Sequence, residues 1–194
     1  MIRAAYGGVL YLTDMAPSEL AVLRDVSMRL DKAAIPYMLT GSLAVSFYTT
    51  PRMTRDIDVV AELERPDVDR VVDLFESDYY VSREAVSEAV RDRSSFNLIE
   101  QASVTKVDVF PRKRGHFRAS EFARRRRVTI DDFETWLVTA EDLVLAKLLW
   151  TRDSPSDVQV RDIRALLRSD LDREYIERWA QELGITDLWR EVQR

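Results

Sequence analysis

Apolar residues recur at helical spacing near the start of the chain and in short continuous or alternating runs after it. Four of them, from Leu20 to Leu30, predict a helix that begins near residue 17, with Ser18 as its N-cap. Strands are then predicted over residues 37–39, 55–61, 79–81, 95–100 and 103–110, and further helices over residues 43–48, 66–77 and 84–91. This part of the chain therefore mixes strands and helices.

The pattern changes to a mainly helical one towards the C-terminus. Residues 128–138 are predicted to hold the last strands, and Thr139 and Asp142 have the spacing of a helix N-cap. Helices are predicted over residues 143–150, 156–168, 173–183 and 186–193. We therefore predict an α/β (α+β) fold. A small mixed sheet flanked by helices would form a core over residues 1–135, packed against a C-terminal helical subdomain over residues 136–194.

Composition excludes several kinds of chemistry. The chain has 194 residues, 46% of them hydrophobic, with no cysteine and one histidine. The lack of cysteine excludes disulfides, thiolate zinc sites and a cysteine nucleophile, and the single histidine excludes a two-histidine metal site. No apolar run reaches the roughly 18 residues of a membrane span, and the N-terminus lacks a signal-peptide pattern. We therefore expect a cytoplasmic protein with no membrane partner.

Charge is unevenly distributed along the chain. The net charge is −5, yet residues 111–127 carry eight Arg or Lys residues against one acid, Glu121. Arg124 to Arg127 have two interpretations: contact with an RNA backbone, or an arginine-rich helix end before a strand. Because arginine outnumbers lysine by 25 to 4, arginine content alone is weak evidence for phosphate binding. We expect His116 to be a surface residue. The tryptophans are interpreted as core residues, with stacking on a nucleobase as the alternative.

Three aspartates lie on predicted strands opposite apolar core positions. Asp56 and Asp58 share one strand face, since alternate side chains do so, and Asp108 has the same placement on a later strand. If the two strands are neighbours, three carboxylates converge and need a counter-ion. Oxygen ligands favour Mg²⁺ or Mn²⁺, and two such ions about 3.5–4 Å apart serve displacement at phosphorus. The alternatives are a solvated strand edge for the first two and an ion pair with Lys106 for Asp108.

Gly41 and Ser42 lie where a predicted strand passes into a helix. Backbone N–H groups and the Ser42 hydroxyl at such a position suit a phosphate, and glycine lets the backbone approach a ligand closely. The alternative is an ordinary turn and helix cap.

Taken together, these residues resemble a known family. The segment GSLAVSFYTTPRMTRDIDVV (residues 41–60), followed by KVDVF (residues 106–110), is similar to the nucleotidyltransferase superfamily related to DNA polymerase beta. Residues 52–58, with Lys147 and Asp162 in the helical tail, resemble its bacterial branch that holds the AbiEii-like abortive-infection toxins, which are related to type IV toxins.

The resemblance implies the nucleotidyltransferase fold and transfer of a nucleoside monophosphate from an NTP, such as ATP, to a hydroxyl group, with two Mg²⁺ or Mn²⁺ ions. In that case two of the aspartates hold both ions, and the third completes the second site and helps to deprotonate the attacking hydroxyl. The implied catalytic and metal-binding residues are Asp56, Asp58 and Asp108, and the implied nucleotide-binding residues are Gly41, Ser42, Arg52 and Lys147.

Three hypotheses for the acceptor and the activity remain open. The first is an RNA or protein acceptor in a toxin–antitoxin setting with a cognate antitoxin; the basic stretch favours it. The second is a small hydroxylated acceptor such as an antibiotic, which the chain length and acidic balance favour. The third is a non-catalytic relative that binds a nucleotide or a partner protein, since a fold and a motif do not prove turnover.

Overall fold

Strands from distant parts of the chain form one mixed sheet, against which the helices pack. The computed structural model describes residues 9–10, 16–50 and 56–194. In these residues the strands are β1 (Val9–Leu10), β2 (Tyr37–Thr40), β3 (Ile57–Ala61), β4 (Tyr79–Tyr80), β5 (Phe96–Glu100), β6 (Lys106–Pro111), β7 (Arg126–Ile130) and β8 (Phe133–Leu137). Their order across the sheet is β1-β7-β8-β2-β3-β6-β5-β4.

Nine helices accompany these eight strands in the described residues. They are α1 (Pro17–Lys32), α2 (Gly41–Val45), α3 (Asp67–Phe75), α4 (Arg83–Asp92), α5 (His116–Ala123), α6 (Ala140–Asp153), α7 (Asp157–Leu166), α8 (Arg173–Glu182) and α9 (Thr186–Val192). None of them combines the length and apolarity that a membrane crossing needs. The predicted mixed α/β fold is confirmed.

The central strands alternate between buried apolar and polar positions. Strand β3 is antiparallel to β2 and parallel to β6. Ile57 and Val59 on β3, and Val107 and Val109 on β6, are almost completely buried. Because successive side chains of a strand point to opposite faces, the residues between them share the other face of the sheet. That face carries the aspartates of the predicted site.

Most predicted elements agree with the structure to within a few residues, and two differ for identifiable reasons. Helix α1 has Ala16, not Ser18, at its N-cap, and the Glu19 carboxylate accepts the Ala16 backbone N–H at 3.2 Å. Pro17 at the first helical position moves the start upstream of Ser18. Helix α5 lies inside the basic stretch, where no helix was predicted; Phe117 and Phe122 bury its inner face.

A buried polar cluster connects α5 to the C-terminal helices. The Asp142 carboxylate accepts hydrogen bonds from Tyr175 Oη (2.6 Å), Arg124 Nε (3.0 Å) and Thr139 Oγ1 (2.5 Å). The Arg124 guanidinium also lies 3.9 Å from the centroid of the Tyr175 ring. A buried carboxylate needs several partners of this kind to offset its lost hydration. The division at residues 135 and 136 stays a prediction; β8 ends at Leu137, and the four C-terminal helices follow.

Candidate active site

The sheet register brings Asp58 and Asp108 side by side. Asp58 of β3 pairs with Asp108 of β6 in parallel register, and Thr40 of β2 pairs with Asp58 from the other side. Neighbouring strands are about 4.8 Å apart, so the two carboxylates start from adjacent backbone positions on one face. Asp56 lies two residues before Asp58, directly ahead of β3, and its side chain is 58% exposed.

Asp58 is the most perturbed acid of this group. Burial, followed by the negative charges of Asp108 and Asp56, raises the pKa of Asp58 to about 6. The Lys147 charge and a hydrogen bond from the Ser42 backbone N–H act in the opposite direction without cancelling the rise. The carboxylates therefore form a point of concentrated negative charge, which the surrounding protein compensates only in part.

Lys106 lies beside the other two aspartates. Its Nζ atom is 2.8 Å from Asp108 Oδ2 and 3.5 Å from Asp56 Oδ1. These ion pairs, with burial acting against them, raise the pKa of Lys106. In residues 16–50 and 56–194, no three His, Cys, Asp or Glu side chains are arranged around a common point as a metal-binding group. The ion pair anticipated as the alternative role of Asp108 is thus present in the structure.

Gly41 is required by the close approach of Asp58. Its φ is +68°, and a Cβ atom at this position would lie 1.9 Å from Asp58 Oδ2, far inside van der Waals contact. Helix α2 has only five residues, so its dipole adds little attraction for an anion. The nearby Ser42 N–H already donates to Asp58. The Gly-Ser pair therefore positions the aspartate in this structure, and its binding of phosphate stays a prediction.

Lys147 reaches the site from α6 and is 4% exposed. Its ammonium group donates to Asp162 Oδ2 and to Gln159 Oε1 of α7, both at 2.9 Å. Ser42 Oγ lies 3.4 Å from the same Asp162 oxygen. This hydrogen-bonded group joins the start of α2 to α6 and α7. It fixes the Lys147 ammonium group at the wall of the site.

A cavity of about 510 Å³ connects these groups. Its lining includes Gly41, Ser42, Asp56, Asp58, Asp108 and Lys147. Six of the seven predicted site residues therefore share one cavity, and the seventh, Arg52, lies outside the described residues. Trp150 also lines the cavity and is 54% exposed, whereas Trp179 and Trp189 are buried as core residues.

Other residues of the cavity were not predicted from the sequence. Glu121 is 3% exposed and receives two hydrogen bonds from Arg118 Nη1, at 3.0 and 2.9 Å. Burial raises the pKa of Glu121, although Arg118 opposes the rise. The one usable signal was that Glu121 is the single acid of the basic stretch. His116 has a largely exposed side chain and contacts Glu182, as expected of a surface residue.

Three of the four arginines from Arg124 to Arg127 are engaged within the chain. Arg124 binds the Asp142 cluster described above. Arg125 lies over Phe122 and Trp136, at 4.3 and 4.7 Å from the ring centroids, and donates to the Phe122 carbonyl. Arg127 pairs with Glu134 at 3.0 Å. Arg124 is the C-cap of α5 and Arg126 begins β7, so the second interpretation, an arginine-rich helix end before a strand, describes this run.

Comparison with known proteins shows similarity in fold. No protein-family model and no curated protein sequence matches the chain. The antibiotic-resistance factor ANT(2″)-Ia matches with a TM-score of 0.60 and 15% identity, over 91% of this chain and 94% of that one. The lincosamide antibiotic adenylyltransferase LnuA, solved with lincomycin, matches with a TM-score of 0.54 and 16% identity, over 79% and 98%. An antigenic nucleotidyltransferase-like protein from Paracoccidioides brasiliensis gives 0.54 and 17%, over 79% and 77%.

At these identities the comparisons establish the fold, which is that of nucleotidyltransferases. The fold expected from the Gly-Ser and three-aspartate pattern is thereby confirmed. The similarity extends over most of the chain, and over 91% of it in the case of ANT(2″)-Ia.

Proposed function

We propose that this chain is a metal-dependent nucleotidyltransferase, which moves a nucleoside monophosphate from an NTP to a hydroxyl group of an acceptor. The observation that carries the proposal is the in-register pair Asp58 and Asp108, joined by Asp56, in a cavity that also holds Gly41 and Lys147. The nucleotidyltransferase fold supports it.

The three carboxylates fit divalent cations by their chemistry and their charge. Mutual repulsion and burial raise the pKa of Asp58, so a bound cation would relieve an electrostatic cost already present. We assign Asp56 and Asp58 to two Mg²⁺ or Mn²⁺ ions and Asp108 to one of them. Such ions neutralise charge on the phosphates and make the acceptor hydroxyl more acidic.

Each group of the chain has a role in this proposal. The acceptor oxygen forms a bond to the α-phosphorus while the bond from that phosphorus to the bridging oxygen breaks, and pyrophosphate leaves. Asp108 takes the proton of the hydroxyl. Lys147, held by Asp162, donates to a phosphate oxygen, and Trp150 offers a face on which the base stacks. Transfer of this kind depends on positioning and charge neutralisation, which require neither His nor Cys.

An arginine stripe along α7 and just beyond its C-terminal end favours RNA as the acceptor. Arg161, Arg164 and Arg168 follow the i, i+3, i+7 spacing of one helix face, are exposed, and line a surface groove of about 490 Å³. They form no ion pair with any residue that the structure describes. The stripe spans about 10 Å, roughly two helical turns, and the same helix supplies Gln159 to the cavity wall. Exposed guanidinium groups in a row, with no ion pair to a described residue, suit the phosphates of a nucleic acid.

A small hydroxylated acceptor is the second candidate. The chain has the fold of two proteins that the solved structures describe as an antibiotic adenylyltransferase and an antibiotic-resistance factor, and its cavity is large enough for a small molecule. We place the chain in the AbiEii-like branch, in a toxin–antitoxin setting with a cognate antitoxin, on the motif over residues 52–58. A non-catalytic binding role is tested by the same experiments.

The test of transfer uses NTPs labelled at the α-phosphate. The chain is incubated with each NTP and Mg²⁺ or Mn²⁺, in the presence of total bacterial RNA, or of tobramycin or lincomycin. Asp108→Ala is expected to abolish label transfer, and the matched control Asp187→Ala, whose side chain is fully exposed, is expected to retain it. Calorimetry of Mg-NTP with wild type and Asp58→Ala measures binding separately. Metal-dependent binding without transfer to any acceptor would indicate the non-catalytic role, and absence of both would refute the proposal.

The choice of acceptor is tested by salt dependence. Each neutralised phosphate of a single strand contributes about 0.7 to the slope of log affinity against log salt. Replacing Arg161, Arg164 and Arg168 by Gln is expected to reduce the slope for RNA by about 2. An unchanged slope, together with transfer to tobramycin or lincomycin, would favour the small acceptor.

A further inference from the structure

Lys106 places a positive charge beside Asp56 and Asp108, where the negative charge of the carboxylates would otherwise attract a metal ion. Among the described residues, it is the only cation that forms an ion pair with Asp56 or Asp108, and it contacts both. It lies on β6 two residues before Asp108, so its side chain leaves the same face of the sheet. The position of Lys106 on β6 therefore directs its ammonium group towards the carboxylates.

The three carboxylates do not share this compensation equally. Lys106 pairs with Asp56 and Asp108, while Asp58 faces Gly41 and receives the Ser42 N–H. The side chain of Asp108 is 18% exposed and that of Lys106 is 40% exposed. A long, partly exposed lysine can leave its partners by rotating into solvent, whereas Asp58 and Asp108 are held by β3 and β6. The structure thus contains one movable cation beside two carboxylates that the sheet holds in place.

We propose that Lys106 fills, in the free chain, the position of one of the two divalent cations, and that a cation must displace it before the site is complete. This inference rests on the proposed function and adds a regulatory step to it. An NTP carries its own divalent cation, so the nucleotide supplies both the ion and the negative charge that draws Lys106 away. Because of Lys106, the chain without nucleotide has a low affinity for metal ions. The metal site becomes complete only when the NTP binds with its divalent cation.

The test measures the affinity of the nucleotide-free chain for Mn²⁺. Calorimetry gives the heat of binding, and electron paramagnetic resonance gives the concentration of unbound Mn²⁺. Lys106→Met removes the charge and preserves side-chain length. We expect its Mn²⁺ affinity to be about ten-fold higher than that of the wild type, from the repulsion between a single and a double charge about 5 Å apart in water. Lys106→Arg, which keeps the charge, is expected to stay close to the wild-type affinity.

A matched control separates local displacement from the general field of the cavity. Lys113 also lines the cavity but forms no ion pair with the aspartates among the described residues. Lys113→Met therefore removes the same charge, and we expect it to change Mn²⁺ affinity by less than about three-fold, since exposed charges are screened. The inference also predicts that Mg-NTP binding reduces the difference between Lys106→Met and wild type.

The possible outcomes distinguish this inference from the function on which it rests. Equal Mn²⁺ affinity of Lys106→Met and wild type, with intact Mg-NTP binding, would overturn the role of Lys106 alone. Equal gains in Lys106→Met and Lys113→Met would also overturn it, because the effect would then be non-specific. No Mn²⁺ binding by any variant, with or without NTP, would overturn the proposed function itself.

Discussion

Replacing Asp58 by Asn should stabilise the folded, metal-free chain while destroying the proposed site. The pKa of Asp58 is raised from 3.8 to about 6 by burial and by two neighbouring carboxylates. The shift is therefore about 2 units, and each unit corresponds to about 1.4 kcal/mol, so the ionised Asp58 costs up to about 3 kcal/mol of folding free energy. Asn has nearly the same shape and can still accept the Ser42 N–H, but it carries no charge.

The pH dependence of this effect has a definite sign. The folded chain holds the Asp58 proton more tightly than the unfolded chain does, so wild-type stability falls as the pH rises from about 4 to about 6 and is constant above. Asp58→Asn lacks this loss. Its advantage in unfolding free energy should thus be near zero at pH 4 and should reach about 3 kcal/mol by pH 7.

Urea unfolding from pH 4 to pH 8, in the presence of a chelator, measures this difference. Asp78→Asn serves as a control of opposite sign, since hydrogen bonds from Arg29 and Ser77 lower the pKa of the exposed Asp78. Adding Mg²⁺ should stabilise the wild type and leave Asp58→Asn unchanged, because only a carboxylate gains from the cation. A variant less stable than wild type at pH 7, or a difference that does not change with pH, would refute the reasoning.

Three further substitutions test other parts of the site. Gly41→Ala should destabilise the fold by more than the control Gly184→Ala does, as measured by thermal unfolding. Both positions have positive φ, but only at Gly41 would the added Cβ meet a side chain. Gly184→Ala should therefore cost only about 1 kcal/mol of unfolding free energy. Lys147→Met should lower the free energy of unfolding by about 3 kcal/mol, because it removes the ammonium group that pairs with the buried Asp162 carboxylate. A decrease of less than about 1 kcal/mol in urea unfolding would contradict this. Trp150→Ala should weaken NTP binding about ten-fold in calorimetry, since stacking on an aromatic ring contributes about 1–3 kcal/mol per base. Trp150→Phe should keep most of the NTP affinity. Equal NTP affinities of Trp150→Ala and the wild type would exclude stacking of the base on Trp150.

The sequence was sufficient for the strands that carry the aspartates. Alternation in IDVVA and KVDVF predicts both the strands and the faces of Asp58 and Asp108, because period-two burial leaves only one face for a charge. The sequence did not predict that these two strands are neighbours. The convergence of the three carboxylates was expected only if they are. The parallel pairing of β3 with β6 depends on the whole sheet, which local pattern does not determine.

Other features depended on contacts that no local pattern records. Helix α5 was not predicted because its basic residues obscured the two buried phenylalanines. The packing of Arg124 against Tyr175 joins residues 51 positions apart, so the sequence offered a structural role for this run as one of two interpretations but did not reveal this contact. The bond from Lys147 to Asp162 likewise became evident only when α6 and α7 were placed together.

The parallel pairing of β3 with β6 also bears on when the proposed site forms during folding. Asp58 and Asp108 are separated by 50 residues, and α3, β4, α4 and β5 lie between the strands that carry them. Closing a loop of that length costs conformational entropy before the pairing repays it, and non-local pairings of this kind form slowly. A nascent or truncated chain that ends before β6 therefore has two of its three carboxylates, and β3 then has β2 beside it but lacks β6 on its other side. The proposed site is complete only after synthesis has passed α6, because β7 and β8 still have to join the sheet and α6 brings Lys147 and Trp150 to the cavity.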